Sequence, residues 1–269
     1  MSNRIDLTFE KLRKEHKKGF IAYITAGDPD LESSFQVADV LEKAGVDLLE
    51  LGIPFSDPLA DGIVIQQAAQ RALEAGASLP KILDGIRQFR KRSEIPLVLF
   101  TYFNPVYKMG LEKLIIEAAA VGVDGILLLD LPPEEADSAA ILMKKHGLKQ
   151  ISLIAPTTPE ERISLICRNA SGFIYYISRE GVTGMQQTVA SSLTERTELI
   201  RSHTALPIAV GFGVSDSKQA AEIAGVSDAV VVGSAIVNEV AKHSKSPDFL
   251  TQIEEFVRPL SDAIKSVKG

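Results

Sequence analysis

The chain has 269 residues, 45% of them hydrophobic and 24% charged, with a formal net charge of −6. Such usage is that of an ordinary globular protein and excludes a disordered, collagen-like or coiled-coil chain. The length suits one α/β barrel of about 250 residues as well as it suits two smaller domains, and the acidic balance argues against nucleic acid as the main partner.

A single cysteine, Cys167, excludes a disulfide framework within the chain and a cysteine-based zinc site. It sits in a helical apolar run with Ile163, Leu165 and Ile166, and reads as a buried structural thiol rather than a nucleophile. No apolar stretch approaches a membrane-spanning length without a charge or a breaker, and Met1 to Lys18 is polar without the apolar run of a secretory signal. A cytoplasmic protein is expected.

Taken in chain order, short β-rich apolar runs begin near Phe20, Leu48, Leu97, Ile126, Ile151, Phe173, Ile208 and Val230. Between them lie stretches of helical period, among them Ser33–Ala44, Leu111–Ala120, Ala136–His146 and Lys218–Ala224. Alternating strands and helices imply βαβ units and a parallel sheet, and parallel strands covered on both faces read as unbroken apolar runs such as Gly125-Ile-Leu-Leu-Leu. A weak repeat runs through Ala44-Gly-Val-Asp, Val121-Gly-Val-Asp and Ala224-Gly-Val-Ser-Asp, each followed by a strand. In each the glycine fits a helix C-cap and the acid precedes the next strand. Eight strands favour a closed (β/α)8 barrel over an open doubly wound sheet, with extra short helices and long loops after strands 2 and 6. No linker divides the chain, so residues 1–269 read as one barrel domain.

Barrel enzymes carry their chemistry at the C-terminal ends of the strands. No lysine stands at a strand end, which disfavours a Schiff-base aldolase, and the four histidines, His16, His146, His203 and His243, fall in or beside helices rather than in a cluster. What remains is acid–base chemistry by carboxyl groups. Glu50, between Leu49 and Leu51, is either turned into the mouth or exposed at a rim; an apolar mouth would raise its pKa and suit it to hold a proton. Asp61 follows on the long loop that can fold back over the mouth, so the two acids can divide the roles of acid and base. Taken singly, Asp57 and Asp61 could equally shape turns.

Glycine at the ends of strands 6, 7 and 8, namely Gly184, Gly211, Gly213 and Gly233, with Ser234 opening a short helix, points to a phosphate site. Backbone N–H groups reach an anion where no side chain intervenes, and a helix N-terminus attracts it. Tyr23, Phe100, Tyr102, Leu129, Leu153, Tyr175 and Phe212 lie near strand ends and suit a flat apolar substrate portion beside the phosphate, although barrel packing accounts for each singly.

The run Glu50-Leu-Gly-Ile-Pro-Phe-Ser-Asp-Pro-Leu-Ala-Asp-Gly62 resembles the signature of the tryptophan synthase alpha subunit family. Ile21-Ala-Tyr-Ile-Thr-Ala-Gly-Asp-Pro29, Ser178-Arg-Glu-Gly-Val-Thr-Gly184, Gly211-Phe-Gly213 and Gly233-Ser-Ala-Ile-Val237 match further family segments in order, so the likeness covers about Phe9 to Val257. It implies a (β/α)8 barrel that cleaves indole-3-glycerol phosphate to indole and glyceraldehyde 3-phosphate without metal or Schiff base. Carried over by position, Glu50 would be the general acid–base and Asp61 would bind the indole N–H and stabilise the positive charge on the ring nitrogen. Tyr175 would line the site, Thr183 would hydrogen-bond Asp61 on loop closure, and Gly184, Gly213, Gly233 and Ser234 would hold the phosphate.

The resemblance also implies a partner, a beta subunit that uses pyridoxal phosphate, receives indole through a tunnel and assembles as an α2β2 tetramer; no cofactor is implied for this chain. The loop around Asp57, the Asn104-Pro105 turn and the Pro132 turn match the family's beta-facing elements, and closure of the Glu50–Gly62 and Arg179–Leu193 loops would be coupled to that partner. The chain departs from many members at Ile63, where proline is common, and at Phe100 and Leu129, which are bulkier. Two other readings stay open here: a stand-alone lyase, and a non-catalytic subunit that binds the phosphate substrate to regulate its partner.

Overall fold

The computed structural model describes residues 3–178, 186–211 and 213–269, with residues 186–191 described by their backbone alone. Eight parallel strands close on themselves in sequence order. They are β1 (Gly19–Thr25), β2 (Leu48–Gly52), β3 (Leu97–Thr101), β4 (Gly125–Leu128), β5 (Lys149–Ile154), β6 (Ile174–Ile177), β7 (Ile208–Gly211) and β8 (Ala229–Val232). Each begins within two residues of the start expected from the sequence. Among the described residues, twelve α-helices cover or plug the barrel. They are α1 (Arg4–Lys14), α2 (Leu31–Lys43), α3 (Ile63–Glu74), α4 (Leu79–Phe89), α5 (Phe103–Met109), α6 (Leu111–Val121), α7 (Asp137–Lys145), α8 (Glu160–Asn169), α9 (Gln186–His203), α10 (Ser217–Ala224), α11 (Ser234–His243) and α12 (Phe249–Ser266).

Side chains alternate across each strand, so one set fills the barrel and the other packs under the helices. Ile21, Leu48, Val98, Leu127, Ile151, Phe173, Ala209, Ala229 and Val231 form the inner cluster. Helix α1 closes the N-terminal end by adding Ile5, Phe9 and Leu12 to it, with the Phe9 and Phe173 rings 5.8 Å apart. Leu49, Leu51, Leu97 and Leu99 belong to the larger outer cluster beneath the helices.

The three-copy repeat has a physical explanation. In each copy the acid just before a strand hydrogen-bonds the start of the strand before it. Asp47 accepts the Phe20 N–H at 2.9 Å, Asp124 that of Leu97 at 2.9 Å and Asp228 that of Ile208 at 2.8 Å. The backbone N–H of each acid returns a bond to the carbonyl of the same partner, at 2.8, 2.9 and 2.9 Å. A cation sits on every carboxylate: Lys265 on Asp47, Arg90 on Asp124 and Arg201 on Asp228. These acids lock the strand register at the barrel floor. The helix-ending glycine behaves less uniformly. Gly45 (φ 99°) and Gly122 (φ 91°) take the left-handed conformation of a C-cap, but Gly225 has φ −62° and remains right-handed, so the capping expectation fails in the third copy.

Candidate active site

Strand parity decides where Glu50 points. Leu48 faces the barrel interior, so Glu50, two residues on, faces it too, one layer higher. Its register partners are Tyr23 on β1 and Val98 on β3. The side chain is fully buried and neither carboxyl oxygen has a hydrogen-bond partner. Burial alone raises its pKa from 4.5 to about 8, because the charged form would lose its water and find nothing in exchange. At neutral pH Glu50 therefore carries its proton.

Asp61 reaches the same mouth on the loop between β2 and α3. The Tyr102 hydroxyl donates to Asp61 Oδ2 at 3.0 Å and accepts the Ala60 N–H at 3.0 Å, so one phenol fixes the loop tip and the acid together. From α3, Gln66 Nε2 donates to the Asp61 carbonyl at 2.8 Å. Phe55 packs on Tyr102 with ring centroids 5.3 Å apart. Partial burial raises the Asp61 pKa, and the Tyr102 hydrogen bond pulls it back down, since that bond favours the ionised form.

The aromatic lining is set by glycines on neighbouring strands. A Cβ on Gly52 would lie 2.0 Å from the Tyr23 hydroxyl, and one on Gly211 would lie 2.5 Å from that of Tyr175. Each glycine thus leaves the space into which the phenol of the adjacent strand leans. Tyr23 meets Phe100 edge-on at 5.4 Å and its hydroxyl lies 3.5 Å from Thr25 Oγ1. Burial raises the pKa values of Tyr23 and Tyr175, and the field of Asp61 and Glu50 adds to this, which puts both phenols within electrostatic reach of the two acids. Phe100, Leu129 and Tyr175 pack on top of the inner cluster, and Leu153 is the register partner of Tyr175.

Beyond Tyr23 on β1, the strands β8 and β7 follow as paired neighbours, and Gly233 and Gly213 stand just beyond their ends. Gly213 has φ 64° and open space where a Cβ would be; Gly233 precedes α11, whose first residue is Ser234. The helix expected to be short runs for ten residues. Arg179, Thr183, Gly184 and Phe212 lie outside the described residues, so their expected roles have no geometry here. The expected Arg179–Leu193 loop is already helix α9 from Gln186 onward, a correction to its length. Sequence reasoning missed Gln66 and the Tyr102–Asp61 bond; the available signal for Gln66 was an amide in the first turn of the helix that follows the acid. Among the described residues no group of three or more acidic, histidine or cysteine side chains is placed to hold a metal ion.

The comparisons with known proteins agree with the barrel fold. A family model described as tryptophan synthase alpha chain matches residues 9–265. The tryptophan synthase alpha chain of Geotalea daltonii is 48% identical over 261 residues, 97% of this chain and 98% of the relative, and that of Opitutus terrae is 47% identical over 249 residues, 93% and 94% of the two chains. The crystal structure of tryptophan synthase subunit alpha from Legionella pneumophila superposes with a TM-score of 0.92 at 39% identity, covering 99% of this chain and all of that one. The chain belongs to the tryptophan synthase alpha chain family.

Proposed function

We propose that Glu50 and Asp61 carry the reaction of this alpha chain. The reaction is the retro-aldol cleavage of indole-3-glycerol phosphate to indole and glyceraldehyde 3-phosphate, with indole passed on to a beta subunit for tryptophan synthesis. The observation that carries the assignment is a fully buried, unpartnered Glu50 with its pKa pushed up to about 8, in the same mouth as a second acid whose burial-raised pKa is drawn back by a phenol hydrogen bond. Protonated Glu50 donates to the indole ring carbon that bears the glycerol chain. The ring nitrogen gains positive charge, and ionised Asp61 accepts its N–H and stabilises that charge. The carboxylate left on Glu50 then takes the proton of the adjacent glycerol hydroxyl. As the aldehyde forms, the carbon–carbon bond breaks and its electrons restore the indole ring. One proton leaves Glu50 and one returns, so the cycle closes with no cofactor in this chain.

Tyr23, Phe100, Tyr102, Leu129, Leu153 and Tyr175 line the indole end, with Thr183 and Phe212 assigned there by position. Gly184, Gly213, Gly233 and Ser234 receive the phosphate, supported by the open backbone at Gly213 and the α11 N-terminus. The whole chain acts as one barrel domain in the cytoplasm; among the described residues no helix is long and apolar enough to cross a membrane. The partner is a beta subunit carrying pyridoxal phosphate, in an α2β2 assembly. Leu59, 92% exposed on the Asp57 loop, and Tyr107, 77% exposed on α5, where the expected Asn104-Pro105 turn is instead the start of that helix, support a docking face on that side. The test is indole release from indole-3-glycerol phosphate by the purified chain and by Glu50→Gln, with and without a beta subunit. We expect a slow wild-type rate that rises when beta is added and a loss of about 10²–10⁴-fold or more in the variant. Unchanged indole formation by Glu50→Gln overturns the catalytic assignment.

A further inference from the structure

A second cavity lies on the outer side of the barrel wall. It is a recess of about 280 Å3, open to solvent on one side, between the ends of β4 and β5, the 133–135 turn and helix α8. Ile151 points into the barrel with the inner cluster, so its neighbour Gln150 points outward, into this space. Gln150 is 8% exposed, and its Oε1 is buried with no hydrogen-bond partner. A buried acceptor in that condition has lost water and gained nothing, and a ligand that brings a donor recovers the loss.

The charged and amide groups around the rim are already matched. Arg162 pairs with Glu134 at 2.5 Å, Asn169 donates to Asp137 at 2.6 Å and Asp130 accepts the Phe103 N–H at 2.6 Å. Nothing there asks for a charged ligand. What remains is neutral: the Gln150 amide on the floor with the Ser152 and Thr158 hydroxyls nearby, the latter already accepting the Ala155 N–H, walled by Leu128, Leu131, Pro133 and Ile166. The complement is a flat, neutral, apolar molecule with a single N–H donor. Volume is ample, because an apolar cavity of about 150 Å3 already holds benzene. Leu129 and Leu153, which line the mouth, border this cavity as well, so the two spaces share a wall.

We infer that this cavity is a second binding site for an aromatic N–H heterocycle of indole size, and that the product of the chain's own reaction is its ligand. The inference rests on the lyase reading of the mouth. The Gln150 carboxamide turns its oxygen to the indole N–H, and the ring lies against the apolar walls.

The test is equilibrium dialysis with indole on the purified chain, joined to crystals soaked in indole. We expect two equivalents bound by the wild type, and one by Gln150→Leu, which keeps the volume and removes the acceptor. Ala136→Leu, which fills the cavity from the turn beside α7, is a second route to one equivalent. Both variants should form indole from indole-3-glycerol phosphate at the wild-type rate. One equivalent in the wild type overturns the inference, as do two in both variants, or crystals holding only ordered water on Gln150. The readout is binding, so the two readings fail separately: a chain that binds two indoles but cleaves no substrate keeps this site and loses the lyase assignment.

Discussion

Glu50→Gln should stabilise the protein at alkaline pH while it removes the chemistry. In the unfolded chain the carboxyl titrates near its ordinary value of 4.5, and in the fold it titrates at about 8. Between those values the folded state holds a proton that the unfolded state has released. By linkage, stability then falls as pH rises; the contribution is complete below about 4.5 and is lost by the time pH passes about 8. Each unit is worth about 1.4 kcal/mol, so the interval of about 3.5 units bounds the loss at roughly 5 kcal/mol, and water drawn in on ionisation brings the expected figure to about 3 kcal/mol. Glutamine does not titrate, so every other group cancels when the two proteins are compared. Urea unfolding at pH 5, 6, 7 and 8 should show the stability difference between Glu50→Gln and wild type growing by about 3 kcal/mol, or roughly 6–12 °C in melting temperature. Because Glu50 must start protonated, wild-type kcat/KM should also decline above pH 8. Parallel stability curves across that range would refute the claim that Glu50 is buried and unpaired.

Three further substitutions probe the site and its support. Tyr102→Phe removes the donor to Asp61 and the acceptor for Ala60; bonds to charged groups are worth about 1.5–3 kcal/mol, so kcat/KM should fall roughly 10–100-fold with little loss of stability, and an unaltered kcat/KM means Asp61 is positioned by something else. Gly52→Ala drives a methyl to 2.0 Å from the Tyr23 hydroxyl, so stability should drop by about 1–3 kcal/mol; adding Tyr23→Leu should restore stability but not activity, and failure of that rescue in chemical denaturation rejects the clash. Asp124→Ala leaves Arg90, which is 9% exposed, with backbone carbonyls but no carboxylate for its charge and should cost about 3–5 kcal/mol, whereas Asp228→Ala frees an Arg201 that is 44% exposed and should cost about 1–2 kcal/mol; equal losses on urea unfolding contradict the burial argument.

Strand positions were legible because each signal is local: an apolar run, a preceding acid, a helix-ending glycine. The orientation of Glu50 was not. Leu49 and Leu51 are both buried under the helices, so a barrel strand shows no polar face from which to tell inside from outside. Only the count from Leu48, which packs with inner residues of seven other strands, settles it. Tyr102 read as an aromatic wall because its bond to Asp61 joins residues 41 positions apart through a loop that no periodicity describes. Gly52 stood out only as part of a motif, and its physical reason is a phenol from another strand. Gly225 shows the reverse error, a sequence copy whose glycine is not used as in the other two.

Acids occur at both ends of this barrel and are treated in opposite ways. On the floor, Asp47, Asp124 and Asp228 each receive a backbone N–H and a cation, so every one of these carboxyl groups has partners and the strand register is fixed by them. In the mouth, Glu50 receives nothing, and a carboxyl with nothing to bind keeps its proton. Asp61, on the loop that follows, is raised by burial but receives a phenol hydrogen bond that favours its anion and pulls it part of the way back. The same side-chain chemistry thus yields structural anchors, a proton donor and a charge stabiliser, sorted by the partners each position supplies. The mouth can leave Glu50 unpaired because stability is secured at the floor, where substitution should change folding and leave the chemistry intact.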